Sequence, residues 1–302
     1  MTSGDHQSQV HFEELRNRAL HAAQVGRFDE AERLSNEALS WAREHGSPQT
    51  VDYAVCNRAA VLIELGRGAA ELPRLREILL RNGDPVSCRV AAYNIARHYE
   101  LNKDYKKALF YARIARDRSV LLGRPDWLAS SHNLIGNTLL AQSFVQEAAD
   151  EYGLALASMP DEPSVARAGL LDNLGYCHFL QGRQTEGYRL LYRALRMARG
   201  FEAQRVELPV RLDLCFAHLE TGRYRQAELQ GTRAMALAET LGEVDSIKNS
   251  LYLLGEIANL NGDIATARGH FTRLQREFFT EAGYLPEFLL AVDIRKLVNL
   301  HA

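Results

Sequence analysis

Small, bulky and polar positions recur along this chain at helical spacing, and the order in which they come returns about every forty residues. The stretch DNLGYCHFLQGRQTEG, Asp172 to Gly187, comes back as LDLCFAHLETGRYRQA, Leu212 to Ala227. Turn positions fall at Gly26, Gly66, Lys103, Ser143, Gly182, Gly222 and Gly262, in steps of 40, 37, 40, 39, 40 and 40. A second series lies between them at Gly46, Gly83, Gly123, Pro160, Gly200, Gly242 and Gly283. Each interval of about twenty residues is long enough for one helix and its connection, so the pattern predicts helix A, turn, helix B, turn, seven times. Glycine ends helices by accepting positive φ, and proline by lacking the N–H donor.

Three small-residue series keep fixed distances from the first set of turns. Seven residues before each turn stand Ala19, Ala59, Ala96, Gly136, Gly175, Cys215 and Gly255. Five residues after it come Ala31, Ala108, Ala148, Gly187, Ala227 and Ala267, with Glu71 as the exception. Seven further on lie Ala38, Ile78, Ala115, Ala155, Ala194, Ala234 and Leu274. Helix axes approach to about 8–10 Å only where the contact residues are small. These slots are therefore expected to be the places where helices touch.

The small residue, turn glycine, aromatic or aliphatic residue and alanine of ALHAAQVGRFDEA, NLGYCHFLQGRQTEG and LCFAHLETGRYRQA resemble the tetratricopeptide repeat. The resemblance covers Phe12 to Phe279. It departs from the usual pattern in its longer period, as in kinesin light chains, spindle-orientation adaptors and bacterial peptide-sensing regulators, and in keeping the closing proline only at Pro160. It implies an all-α, right-handed α-solenoid of about seven helix-turn-helix repeats plus a C-terminal capping helix. Residues 1–11 are expected to be disordered, 12–283 to form the superhelical domain and 284–302 the cap. Breaks in stacking are expected at repeat two, GRGAAELPRLREILL, where Pro73 opens the second helix, or at SMPDEPSVARAG.

Composition narrows the function classes. With 46% hydrophobic and 25% charged residues the chain is suited to a packed core, and a formal charge of −2 predicts no bulk attraction to nucleic acid or anionic lipid. No apolar run is long enough to cross a bilayer, and the N-terminus lacks the pattern of a secretory signal, so a cytoplasmic location is expected. Cys56, Cys88, Cys177 and Cys215 are isolated, which fits buried thiols better than disulfides. No phosphate-binding loop, dinucleotide fingerprint, zinc-protease or nucleophile-elbow motif occurs, so neither an enzyme nor a cofactor is expected.

Three groups of residues bear on chemistry. Cys177, His178, Cys215 and His218 have the right atoms for zinc, but the histidines share one repeat slot with Ala22, Leu62, Tyr99, Leu139 and Ala258, which marks them as packed residues, and no metal is predicted. Asp150 and Glu151 read as solvated charges. Arg189, Arg193 and Arg196, with Arg183 and Arg199, form a basic stripe on one B helix, and Lys106, Lys107, Arg113 and Arg116 form another. These stripes support an alternative function, a nucleic-acid-associated regulator.

In tetratricopeptide superhelices the A helices line the inner groove. Carried onto this sequence, the groove positions are Arg16, Tyr93, Arg97, Glu100, Asn133, Asn137, Asp172, Tyr176, Phe179, Phe216, Tyr252, Glu256 and Asn259. Amides hold a peptide backbone, aromatics give rigid contact area, and the Arg97 fork suits a carboxylate. The lysine clamp of chaperone-docking members is missing. The resemblance to peptide-sensing regulators thus implies a non-enzymatic scaffold or adaptor that binds a peptide or protein segment. In YLPEFLLAVDIRKLVNLHA, a predicted helix after Pro286, one apolar row is Phe288, Leu289 and Val292 and another is Leu290, Ile294, Leu297 and Val298. One row covers repeat seven, and the other predicts a homodimer or a docked protein.

Overall fold

The computed structural model describes residues 3–24 and 26–301, with side chains for 10–23 and 26–301. Among the described residues no strand occurs. The helices are α1 (Ser3–Gln24), α2 (Phe28–His45), α3 (Pro48–Glu64), α4 (Leu72–Arg81), α5 (Pro85–Leu101), α6 (Tyr105–Leu121), α7 (Pro125–Ala141), α8 (Val145–Ala157), α9 (Val165–Leu180), α10 (Gln184–Gly200), α11 (Gln204–Glu220), α12 (Tyr224–Leu241), α13 (Val244–Leu260), α14 (Ile264–Phe278) and α15 (Leu285–Ala291). Up to α14, odd-numbered helices are A helices and even-numbered ones B helices. No helix among the described residues is long and apolar enough to cross a membrane.

One stop signal closes every A helix. At Gly182 (φ 79°) the chain turns left-handed, and the Arg183 N–H donates to the His178 carbonyl at 2.9 Å while the Gly182 N–H donates to Phe179 at 3.0 Å. This six-to-one bond satisfies carbonyls that the helix end would orphan. The same bond recurs as Arg27 to Ala22, Arg67 to Leu62, Asp104 to Tyr99, Phe144 to Leu139, Arg223 to His218 and Asp263 to Ala258. All seven positions of the first turn series have positive φ, including Lys103 (59°) and Ser143 (64°). The second series is less uniform: Gly123 and Gly242 are left-handed, Gly46 is extended, and Asn82 and Glu202 take the left-handed role beside Gly83 and Gly200. Several starts carry side-chain caps: Ser47, Asp84, Asp104, Ser164 and Asp263 each accept from the N–H three residues on.

The small slots are close contacts. A Cβ added at Gly187 would lie 2.9 Å from the Gly175 carbonyl oxygen, and one at Gly255 would lie 2.3 Å from the Phe271 ring. The exception, Glu71, is buried and takes the Arg58 guanidinium at 2.6 Å. Repeat two has a short B helix: a 3-10 turn, Gly68–Glu71, precedes a ten-residue α4 with Pro73 in its first turn.

The chain divides into two compact units, Met1–Thr138 and Leu139–Ala302. The boundary falls inside α7, whereas the stretches expected to interrupt stacking lie within the units. In the first unit α1 packs on α2, α2 on α3, α3 and α4 on α5, and α5 on α6. In the second, α9 packs on α10, α11 on α12 and α13 on α14, while α11 also touches both α9 and α13. The A helices α9, α11 and α13 thus form one wall.

Both chain ends differ from expectation. Met1 and Thr2 lie outside the described residues, and from Ser3 the segment expected to be disordered is helical, leading to the buried anchors Phe12 and Leu15. The predicted cap stops at Ala291, and Val292 is extended (φ −126°, ψ 120°). Asp293 explains the stop: its Oδ1 accepts from the Arg295 backbone N–H at 3.0 Å and from Nε at 3.0 Å, a local alternative to continuing the helix. Ile294, Leu297 and Val298 are therefore not on a helix, and the second predicted row keeps only Leu290 on α15. Leu289 is buried in the α15 contact with α13 and α14, whereas Phe288, Val292 and Leu297 are exposed.

Candidate functional site

In the first unit the predicted groove residues are already occupied. Arg16 donates to the Tyr53 hydroxyl at 3.1 Å and pairs with Glu13. The Arg97 fork, expected to be open to a carboxylate, is filled by Glu64 at 2.9 Å and Glu100 at 2.5 Å, and these charges hold its pKa up despite burial. The Tyr93 ring lies under Arg89, 4.7 Å from its centroid. Asn133 and Asn137, on α7, are half-buried and neither is free.

The second unit gathers its predicted residues on one wall. Asp172, Tyr176 and Phe179 come from α9, Phe216 from α11, and Tyr252, Glu256 and Asn259 from α13. Phe216 joins two of them, with ring centroids 5.8 Å from Tyr176 and 6.2 Å from Phe179. The wall is covered, because α15 packs on α13 and the residues after α15 run back along it. Asn259 donates to the Leu290 carbonyl at 3.3 Å and Asn249 to the Leu300 carbonyl at 3.1 Å. Arg295 reaches Glu220 at 3.1 Å and lies 3.9 Å from Glu256. Asn299 Nδ2 donates to the Leu140 and Ala141 carbonyls, at 3.0 and 3.3 Å, and to Ser143 Oγ at 3.2 Å, so it caps the end of α7.

His301 fills the deepest position. Its Nε2 lies 3.0 and 3.3 Å from the two oxygens of Asp213, and its ring centroid is 4.4 Å from that of Tyr176. Burial alone would lower the imidazole pKa, but the charge and hydrogen bond of Asp213 outweigh it and raise the pKa. Burial raises Asp213, which the imidazole partly offsets. Asp172 is pushed well above the carboxylate range by burial and by Asp213, and its Oδ1 has no partner among the described residues. Burial also raises Glu256, to about 7, with Asp293 adding to the effect.

Asp213, Asn249, Glu220 and the tail residues Arg295, Asn299 and His301 are absent from the sequence-derived set. Asp213 had a signal: it is the one acidic residue in the run Leu208–Leu219, nearly all of which is buried. The tail residues carry no repeat register.

No protein-family profile and no curated protein sequence matches the chain. Solved structures do. The apo quorum sensor NprR from B. thuringiensis superposes with a TM-score of 0.70 at 15% identity, covering 92% of this chain and 80% of that one. NprR in complex with its cognate peptide NprX gives 0.67 at 15%, covering 92% and 82%. A signal-transduction ATPase with numerous domains from Pyrococcus horikoshii, with a tetratricopeptide repeat sensor, gives 0.69 at 16%, covering 97% of this chain and 46% of that one. The chain has the tetratricopeptide-repeat fold.

On this tetratricopeptide fold Cys177, Cys215 and His218 lie on the A helices α9 and α11, and the two basic stripes on the B helices α10 and α6. His218 is held between tyrosines, with Tyr192 Oη 2.8 Å from Nε2 and Tyr188 Oη 3.3 Å from Nδ1, and burial lowers its pKa to about 4. Burial pushes the Cys177 and Cys215 thiols up to about 12, so neither is poised as a thiolate ligand. Among the described residues no cluster of three or more such side chains is arranged to hold a metal. Of the basic stripe, Arg189 pairs with Glu186 and Arg193 lies 3.9 Å from Asp161. Arg189, Arg196 and Arg199 line an open cleft of about 600 Å³ with Arg233, Tyr188 and Tyr192. Of the second stripe, Lys107 pairs with Asp104 and Arg116 with Asp117.

Proposed function

We propose that this chain is a non-enzymatic tetratricopeptide scaffold or adaptor that holds an extended peptide or protein segment along the A-helix wall of its second unit. The observation that carries this reading is the tail itself: an irregular segment lies on α9, α11 and α13 through an amide-to-carbonyl bond from Asn249, an ion pair and a ring contact. Backbone carbonyls read by side-chain amides hold a main chain without regard to its side chains, while pockets beside them select particular ones. The likeness to NprR bound to its cognate peptide supports the same use of the fold. The arginine-lined outer cleft supports a second reading, an acidic partner such as nucleic acid.

Peptides selected from a random library against the full chain separate the two readings. Replacing Asn249 by Ala is expected to weaken the selected peptides about fivefold, since one amide contact of about 1 kcal/mol is lost. Charge reversal at Arg189, Arg196 and Arg199 is expected to leave them unchanged. The opposite pattern would assign binding to the outer cleft.

A further inference from the structure

The tail is an incomplete occupant of the wall it covers. Asp172 Oδ1, Ser250 Oγ, Tyr252 Oη and Glu256 Oε1 have no hydrogen-bond partner among the described residues, although these residues are at most 7% exposed. Buried polar atoms left unpaired are costly, so each of these calls for a partner. Two of the four are carboxylate oxygens, and each belongs to a site where a basic tail residue is only partly engaged. At one end, His301 meets Asp213 and leaves Asp172 unpaired. At the other, Arg295 is bonded to its neighbour Asp293 at 2.6 Å and to Glu220 at 3.1 Å, and approaches Glu256 no closer than 3.9 Å.

The wall therefore offers four acidic side chains, Asp172, Asp213, Glu220 and Glu256, in two sites, with Asn249 holding a carbonyl of the tail. The tail answers each site with one cation, six residues apart in sequence. A guanidinium has five donors in a planar fork, whereas an imidazole offers one donor at each nitrogen, so arginine is better suited to a pair of carboxylates.

We infer that this wall is a binding site for an extended basic segment, one cation entering the Asp172 and Asp213 site and a second the Glu220 and Glu256 site, and that residues 293–301 are a tethered stand-in for that ligand. The inference rests on the wall being a peptide groove and adds what the peptide must carry and what it must displace. A tethered segment competes at millimolar effective concentration, so the free groove is masked until a segment with better-matched cations arrives.

The test uses the full-length chain and a fluorescein-labelled peptide with the sequence of residues 292–301, followed by anisotropy. A chain carrying Arg295→Ala and His301→Ala is expected to bind this peptide about tenfold or more tightly than the unaltered chain, because the internal competitor is released. A peptide with arginine in place of its histidine is expected to bind more tightly still, and one with alanine in place of Arg295 and His301 to lose binding. Equal affinity in the two chains, or equal binding by a scrambled peptide of the same charge, overturns the inference. The groove reading survives that outcome if Asn249→Ala still weakens binding. Failure of both chains to bind any of these peptides overturns the inference, and loss of every library peptide as well would remove the groove reading. A second readout needs no substitution: excess arginine-bearing peptide should accelerate hydrogen exchange at residues 293–301 of the unaltered chain, and unchanged protection contradicts displacement.

Discussion

The decisive residues are a carboxylate pair and the imidazole placed against it. Asp172 follows from the repeat register, three positions before the contact glycine Gly175, but the register gives no hint that it would be covered. Asp213 stands one register position away, in a stretch where the helix is buried on nearly all sides, so counting from the repeat passes it over. His301 is invisible to any repeat argument, because its partner is 88 residues away. The pH dependence of docking has a definite sign. The docked His301 pKa is raised above its ordinary 6.5, so its contribution is fully present below that value and is lost as pH rises through the docked value. Asp172, raised from 3.8, works in the same direction, since its ionised form is the one that burial penalises. Tyr176, whose pKa burial also raises, stays neutral across this range, and Asn249 carries no charge. Following the His301 ring carbon shifts by NMR should show a midpoint above 6.5, with the tail signals sharpening as pH passes it. Asp213→Asn should bring that midpoint to or below 6.5, and an unchanged midpoint would contradict the pairing.

At the scale of elements, most of the chain was legible because helix pairs must touch at small residues and must stop at a left-handed turn. The register located Lys103 and Ser143 as turn residues although neither is glycine, and both have positive φ. The same logic failed after Ala291. An apolar spacing compatible with helix continues there, but Asp293 binds the Arg295 backbone and Asn299 binds the end of α7, and these polar bonds draw the segment onto the A-helix wall. Two glycines separate packing from propensity. Gly187→Ala places a methyl 2.9 Å from a backbone carbonyl that cannot turn aside, and should destabilise the chain by about 1–3 kcal/mol. Gly153→Ala, in α8 with open space around it, should stabilise by about 0.5–1 kcal/mol. Urea denaturation of both variants checks the pair. A neutral Gly187→Ala would mean that α9 and α10 do not approach as closely as the slot requires.

At the scale of the whole molecule, the repeat spacing predicts a single stack, and the contacts divide the chain into two compact units at Thr138 and Leu139. The repeat continues through that point without a break in register, since the steps to Ser143 and to Gly182 are ordinary, so nothing in the spacing marks the boundary. The two units also differ in the state of their candidate residues. In the first, Arg97 is committed to Glu64 and Glu100. In the second, the A-helix wall carries a tail and several unpaired polar atoms. The account therefore centres on the second unit, and its most direct test is the cross-relaxation between the ring protons of His301 and Tyr176 in the free full-length chain. With ring centroids 4.4 Å apart, cross-peaks between the two rings are expected. A His301 ring with the shift and line width of a free histidine, and no cross-peak to Tyr176, would contradict it.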